Sequence, residues 1–198
     1  MRIILASKSP RRKEILEKLG LNFEISVSDA NEDVGEMPPE RAVEEISKRK
    51  AEAVLEKGGK EDALIIAADT VVSIDGKTLG KPKDEKEAKE MLKTLSGNTH
   101  TVFTGFAVCF GGKMRTGHEA TKVKFKVLSD QEIENYVNSG EPMDKAGAYG
   151  IQGKAIVFVE SINGDFFNVV GLPVFKIYET VKNEFGIDLL YAGGEENV

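Results

Sequence analysis

The residues that first suggest chemistry are cations crowded where a helix should begin. Ser7-Lys-Ser-Pro-Arg-Arg-Lys13 reads as a helix start, with Ser9 as N-cap and Pro10 at the first helical position. Arg11, Arg12 and Lys13 then fall at the positive end of the helix dipole, with Lys8 just before it. Each misplaced cation costs about 0.3–1 kcal/mol, so the three together cost roughly 1–3 kcal/mol. A capping box would place Glu at the third helical position, where this chain has Arg12. An anion bound there removes the conflict. Backbone N–H groups, the Ser7 and Ser9 hydroxyls and the guanidiniums of Arg11 and Arg12 would converge on one phosphate chain. The plainer reading is a solvated basic turn.

Asp69 interrupts an otherwise apolar strand, Ala63-Leu-Ile-Ile-Ala-Ala68 followed by Val71-Val72, with Thr70 beside it. A carboxylate there either holds a metal, meets a cation, or ends the strand by bonding to a turn. Lys50 falls on the apolar stripe of a helix, in line with Val43, Ile46 and Val54. It either snorkels to water or points into a site. Lys81, in Gly80-Lys-Pro-Lys83, reads as plain surface or as a cation for the same anion. Gly147, Gly150 and Gly153 recur every third residue around Gln152, a spacing that suits close approach of backbone to a ligand or simply tight turns. Gln152 can both donate to and accept from an amide-and-carbonyl base edge.

These residues need elements to position them. Arg2–Ala6 reads as a buried strand, and the first helix carries Ile15, Leu16 and Leu19 on one stripe before Gly20 stops it. Phe23–Val27 is expected to form a strand leading into the acidic loop 29–33, and Pro39 opens a helix to about Glu56. Residues 63–74 form one or two strands closed by Asp75-Gly76, a hairpin turn signal. Asp84 with Glu87, and Ser129 with Glu132, read as helix-starting pairs. Thr99–Phe110 and a return strand ending in the alternating Lys122–Val127 flank Gly111-Gly112. Ile156–Ile162 reads as a strand, and Pro173 begins a last helix. The order is mixed α/β with an antiparallel centre, in one globular unit that has room for two lobes.

Composition excludes other classes. The 198 residues carry 33 acidic and 27 basic side chains, a formal charge of −6. That balance disfavours a nucleic-acid polymer as partner, though a few clustered cations suffice for a small phosphorylated ligand. The longest apolar run, Ala63–Ala68, is far short of a membrane span, and no signal peptide opens the sequence. A single cysteine, Cys109, fits a core position in a cytoplasmic protein. His100 and His118 fit no metal spacing, and Walker A, dinucleotide-binding and G-x-S-x-G patterns are absent.

Six segments keep a fixed order along nearly the whole chain. They are Leu5-Ala-Ser-Lys-Ser-Pro-Arg-Arg12, Ala67-Ala-Asp-Thr-Val71, Gly80-Lys-Pro82, Leu95-Ser-Gly-Asn-Thr-His100, Asp144-Lys-Ala-Gly-Ala-Tyr-Gly-Ile-Gln-Gly153 and Asn168-Val-Val-Gly-Leu-Pro173. Together they resemble the Maf family of nucleoside triphosphate pyrophosphatases. The resemblance implies one domain over residues 1–198, with a mixed, largely antiparallel central sheet, flanking helices and two lobes around a deep cleft. It further implies hydrolysis of a nucleoside triphosphate to monophosphate and pyrophosphate with a divalent metal, Mg²⁺ or Mn²⁺. The catalytic carboxylate falls on Asp69 and a second metal ligand on Glu32. Ser7, Ser9, Arg11, Lys50 and Lys81 would serve the phosphates. Arg12, Thr70 and Gln152 match the branch acting on dTTP and UTP, modified nucleotides included, rather than the 7-methylguanosine triphosphate branch. The alternative is a nucleotide-binding regulator of cell division acting through partners. Neither a nucleic-acid polymer nor a membrane is an expected partner, and the sequence leaves a homodimer open.

Overall fold

The computed structural model describes residues 1–58 and 62–192. Its elements in chain order are β1 (Arg2–Leu5), α1 (Pro10–Lys18), β2 (Glu24–Ile25), α2 (Pro39–Glu56), β3 (Ala63–Ile74), β4 (Lys77–Leu79), α3 (Glu85–Leu95), β5 (Thr99–Phe110), β6 (Lys113–Phe125) and α4 (Asp130–Val137). Three short 3₁₀ turns at Glu141–Asp144, Ala146–Ala148 and Lys154–Phe158 follow, then β7 (Val159–Asn163), α5 (Phe166–Val170) and α6 (Val174–Phe185). The strands form one mixed sheet in the order β2-β1-β3-β5-β6-β7, with β4 paired to β3. Two compact units divide the chain: residues 1–69, 104–119 and 171–198 in the first, and residues 70–103 and 120–170 in the second.

In the first unit β1 pairs in parallel with both β2 and β3. That is why both read as unbroken apolar runs: Ile3–Leu5 and Leu64–Ala68 are buried, as strands covered on both faces must be. Antiparallel pairing joins the hairpin strands and also β6 with β7. β3 turns into β4 through Asp75 and Gly76, both at positive φ, and β5 turns into β6 through Gly111 and Gly112, also both positive. The sheet is therefore antiparallel at its hairpins, while its N-terminal edge is parallel. Only Glu24–Ile25 of the expected strand 23–27 pairs, prolonged by one bond from Ser26 N–H to the Leu5 carbonyl at 3.1 Å.

α2 lies against small residues. Ala51 and Val54 pack on Ile4, Ala6, Ile65, Ala67, Ala107 and Cys109. Gly105 marks a close approach, because a Cβ there would sit 2.2 Å from the Val43 carbonyl oxygen of α2. Nothing larger than hydrogen fits, so the glycine sets the depth at which α2 lies.

In the second unit α3 and α4 begin as their caps dictate. Asp84 accepts from Glu87 N–H at 2.8 Å, but the Glu87 carboxylate reaches back to Lys83 N–H, one residue before the expected partner. At α4 the capping box is complete, with Ser129 and Glu132 satisfying each other's backbone N–H. The apolar run at 156–162 is not one strand. Residues 154–158 wind into a 3₁₀ turn that leaves Ile156 and Val157 exposed, and only then does β7 pair with β6. α5, capped by Asp165 accepting from Phe167 N–H at 2.8 Å, lies between the expected β7 strand and the last helix.

Candidate active site

Within the first unit, three charged side chains from three different elements meet. Lys50 comes from α2, Asp69 from β3, and Glu32 from the loop between β2 and α2. Lys50 Nζ lies 2.7 Å from Asp69 Oδ1 and 2.9 Å from Glu32 Oε1. The Lys50 and Asp69 side chains are only 12% and 14% exposed, whereas Glu32 is 60% exposed. Lys50 thus points inward, and Asp69 meets a cation. Burial of this kind is tolerated because each charge has its counter-charge.

The placement of Glu32 depends on α2 as well. Arg49, one residue before Lys50, donates to the carbonyls of Asn31 (3.2 Å) and Asp33 (2.7 Å), and Glu45 holds its guanidinium one helical turn away. Side chains of Ser28, Asn31 and Asp33 each accept a backbone N–H two residues on, so the acidic loop is a chain of tight local turns. The helix that supplies Lys50 therefore also fastens the loop that supplies Glu32.

α1 begins beside this group. Pro10 stands at its first position and its first turn holds no acidic residue. The Ser9 hydroxyl makes no cap; instead Ser7 Oγ accepts from Ser9 N–H at 3.2 Å. Arg12 donates from Nε to the Gly171 carbonyl at 2.7 Å and from Nη1 to Ser7 Oγ at 3.1 Å. Burial pushes the Arg12 pKa down, the negative charges of Asp69 and Glu32 oppose this, and Arg11 adds to it. A guanidinium stays protonated through such shifts, so the group carries two fixed cations, Arg12 and Lys50, against two carboxylates. Lys13 is spent on an i,i+4 pair with Glu17 at 3.3 Å.

Thr70, Lys81 and Gln152 belong to the second unit. Lys81 and Gln152 are exposed and Thr70 is half-buried. The glycines around Gln152 do not leave room for a ligand. A Cβ at Gly147 would strike Val72, one at Gly150 would strike Lys145, and one at Gly153 would lie 2.1 Å from Glu141 Oε1. Their spacing serves the protein's own side chains.

Asp69 and Glu32 suit a hard divalent cation. Two carboxylate oxygens already converge on one cationic nitrogen, Lys50 Nζ. Among the described residues no cluster of three or more His, Cys, Asp or Glu stands ready to hold a metal. That donor set matches Mg²⁺-type binding, which uses one or two carboxylates and takes its remaining ligands from water and phosphate oxygens.

Sequence reasoning missed Arg49 and Gly171. The i,i+4 spacing of Glu45 and Arg49 is that of any surface pair and carries no distinguishing signal. The Gly171 contact with Arg12 is made by a backbone carbonyl, which no side-chain pattern announces.

Among solved structures, the Staphylococcus aureus Ham1 protein aligns with 15% identity over 63% of this chain and 72% of its own, at a TM-score of 0.47. A dTTP/UTP pyrophosphatase of Thermoanaerobacter sp. (strain X514) is 50% identical over 192 residues, 96% of this chain and 100% of that protein. The proteins of the same name from Caldanaerobacter subterraneus subsp. tengcongensis and Bacillus cereus (strain AH820) are each 48% identical, covering 98% and 96% of this chain and 95% and 99% of their own. Residues 2–184 match the family described as Maf-like protein, a match that runs through both units and takes in every residue of the Glu32–Lys50–Asp69 group. On that full-length likeness, the chain belongs to the Maf family.

Proposed function

We propose that this protein is a metal-dependent nucleoside triphosphate pyrophosphatase that hydrolyses dTTP and UTP, modified nucleotides of the same base pattern included. The observation that carries the reading is the joining of Asp69 and Glu32 through Lys50, beside Arg12, in a chain half identical to curated dTTP/UTP pyrophosphatases. A pure binding module has no use for carboxylates facing a polyanion; an enzyme that gathers a metal and orients water does. The reading takes residues 1–198 as one functional domain.

Bound at Asp69 and Glu32, a divalent cation, Mg²⁺ or Mn²⁺, supplies charge neutralisation at the phosphate oxygens. The chain's own residues do the rest. Arg11, Arg12, Lys50, Lys81 and the Ser7 and Ser9 hydroxyls bind the phosphates. Asp69 orients a water molecule and takes its proton as the water oxygen bonds to the α-phosphorus. The bond from that phosphorus to the bridging oxygen breaks, and pyrophosphate leaves. Positioning and electrostatic stabilisation supply most of the rate in phosphoryl transfers of this kind. Gln152 reads the base: uracil and thymine offer an N3–H donor flanked by carbonyls, which an amide meets with its own carbonyl and NH₂. Thr70 and Arg12 complete the selective set.

The reading places the enzyme in the cytoplasm with a nucleoside triphosphate as partner; among the described residues no helix is long and apolar enough to cross a membrane. The test is a product assay over a nucleotide panel with Mg²⁺ or Mn²⁺. Monophosphate and pyrophosphate in equal amounts, without orthophosphate, are expected from dTTP and UTP. Orthophosphate release would replace the reaction class, and tight binding without turnover would favour the regulator.

A further inference from the structure

We propose that Glu141 is a positioning residue for base selection, acting by fastening the segment Gly150–Lys154 that carries Gln152. The proposal rests on the reading of Gln152 as the residue that meets the base. Glu141 acts through its own chain: its hydrogen bonds go to Tyr136, Ser139, Lys145 and Lys154 of the second unit.

Both carboxylate oxygens of Glu141 are in use. Oε1 accepts from the Tyr136 hydroxyl at 2.9 Å, and Oε2 accepts from Lys154 N–H at 3.0 Å. The same Tyr136 oxygen accepts from Gly150 N–H at 3.2 Å. Residues 150 and 154 are thus tied, one through Tyr136 and one directly, to a single carboxylate. Between them Gly153 passes so close that a Cβ would lie 2.1 Å from Glu141 Oε1. Just before the segment, Tyr149 meets His100 Nε2 through its hydroxyl at 2.8 Å, fixing the entry. Lys145 Nζ holds the Glu141 backbone carbonyl at 2.6 Å and lies against Gly150, where a Cβ would be 2.5 Å from Lys145 Cε. Gln152 is exposed, standing on a backbone anchored on both sides at Gly150 and Lys154.

The chemistry of an amide makes that anchoring matter. An unplaced Gln can turn over and satisfy cytosine, whose N3 accepts and whose amino group donates, as readily as uracil, whose N3–H donates and whose carbonyls accept. Discrimination between the two therefore requires a fixed approach of Gln152, which the segment's backbone must provide. Gly153 has φ −105, an ordinary value, so its need for glycine comes from the Glu141 carboxylate and not from its own backbone.

The experiment compares UTP and CTP as substrates of the full-length protein. Glu141→Gln keeps the volume but retains only one acceptor, and Gly153→Ala pushes the segment off the carboxylate. Each is expected to lower the UTP-to-CTP ratio of kcat/KM by at least about tenfold, while competitive inhibition by inorganic tripolyphosphate stays within about twofold of wild type. In a Glu141→Ala background, Gly153→Ala should change the ratio by less than about twofold, because the clash it creates is gone. If Glu141→Gln does not fold, Tyr136→Phe cuts the tie to Gly150 and is read in the same way. A ratio that stays at its wild-type value in these variants, or rates for both nucleotides and tripolyphosphate inhibition that decline together, would overturn the proposal. Wild type that releases no pyrophosphate from UTP would instead sink the functional reading itself, before any variant is made.

Discussion

Asp69, Lys50 and Lys81 are expected to respond differently to substitution because their surroundings differ. Asp69→Asn keeps an oxygen that can accept from Lys50 Nζ, so the fold should survive. The amide cannot take a proton and is a poor ligand for a hard cation. Turnover should therefore fall at least about 100-fold, with a melting temperature within about 3 °C of wild type. Residual activity within a few-fold of wild type would take Asp69 out of the mechanism. Lys50→Ala leaves Asp69 and Glu32 facing each other without their shared cation. Breaking so enclosed a pair costs about 3–5 kcal/mol, so this variant should lose both stability and activity. Lys81 is exposed, and Lys81→Ala should raise the KM for triphosphate without moving the unfolding midpoint. Gln152→Glu replaces a donor-and-acceptor pair by an acceptor alone. It should lower kcat/KM for UTP by about 5- to 150-fold, the equivalent of roughly 1–3 kcal/mol.

At the scale of elements, α2 does two tasks with adjacent residues: Lys50 enters the charged group and Arg49 ties down the loop bearing Glu32. Both depend on how deeply the helix lies, and Gly105 of β5 sets that depth. Gly105→Ala would drive a methyl group into the Val43 carbonyl. Overpacking costs about 1–3 kcal/mol, and here the obstacle is backbone, which has no rotamer by which to yield. The midpoint of urea unfolding should drop accordingly, and activity measured well below that midpoint should drop too, since Lys50 and Glu32 move with the helix. A variant as stable and active as wild type would show that α2 can settle elsewhere. The start of α1 carries the complementary lesson: its cations break the dipole rule, and Arg12 escapes that end of the helix by reaching Gly171 and Ser7.

Across the whole molecule, one buried base should contribute to behaviour in acid. His100 is 1% exposed, and burial pushes its pKa down from 6.5 to about 4. Its Nε2 meets the Tyr149 hydroxyl, while Nδ1 has no hydrogen-bond partner among the described residues. Protonation would therefore bury a charge and leave a donor unmet. The unfolded chain takes up the proton near pH 6.5 and the folded chain only near pH 4. The part of stability linked to His100 should thus be intact above pH 6.5 and decline as pH falls toward 4, by about 3 kcal/mol. His100→Phe does not titrate. Its denaturation midpoint, followed from pH 7 to 4.5, should decline less steeply than that of wild type; equal slopes would acquit His100.

What the sequence by itself determined is local or periodic. The buried strands β1 and β3, the turns at Asp75-Gly76 and Gly111-Gly112, the Ser129–Glu132 box and the misplaced cations of α1 are legible because the causes lie within a few residues of the effects. Asp69 and Lys50 were legible as anomalies, a charge in an apolar run and a charge on an apolar stripe, though each left open what it would meet. Only the tertiary structure decided that they meet each other, that Arg12 spends its guanidinium on a carbonyl 159 positions away, and that the glycines around Gln152 make room for Lys145 and Glu141. It also broke the apolar run at 156–162, whose first residues wind into a turn after Lys154 N–H binds Glu141. The physical reason is common to all of these. A side chain's type states what partner it requires, but distance to that partner is set by how helices and strands pack, and packing depends on contacts between residues that no spacing along the chain connects.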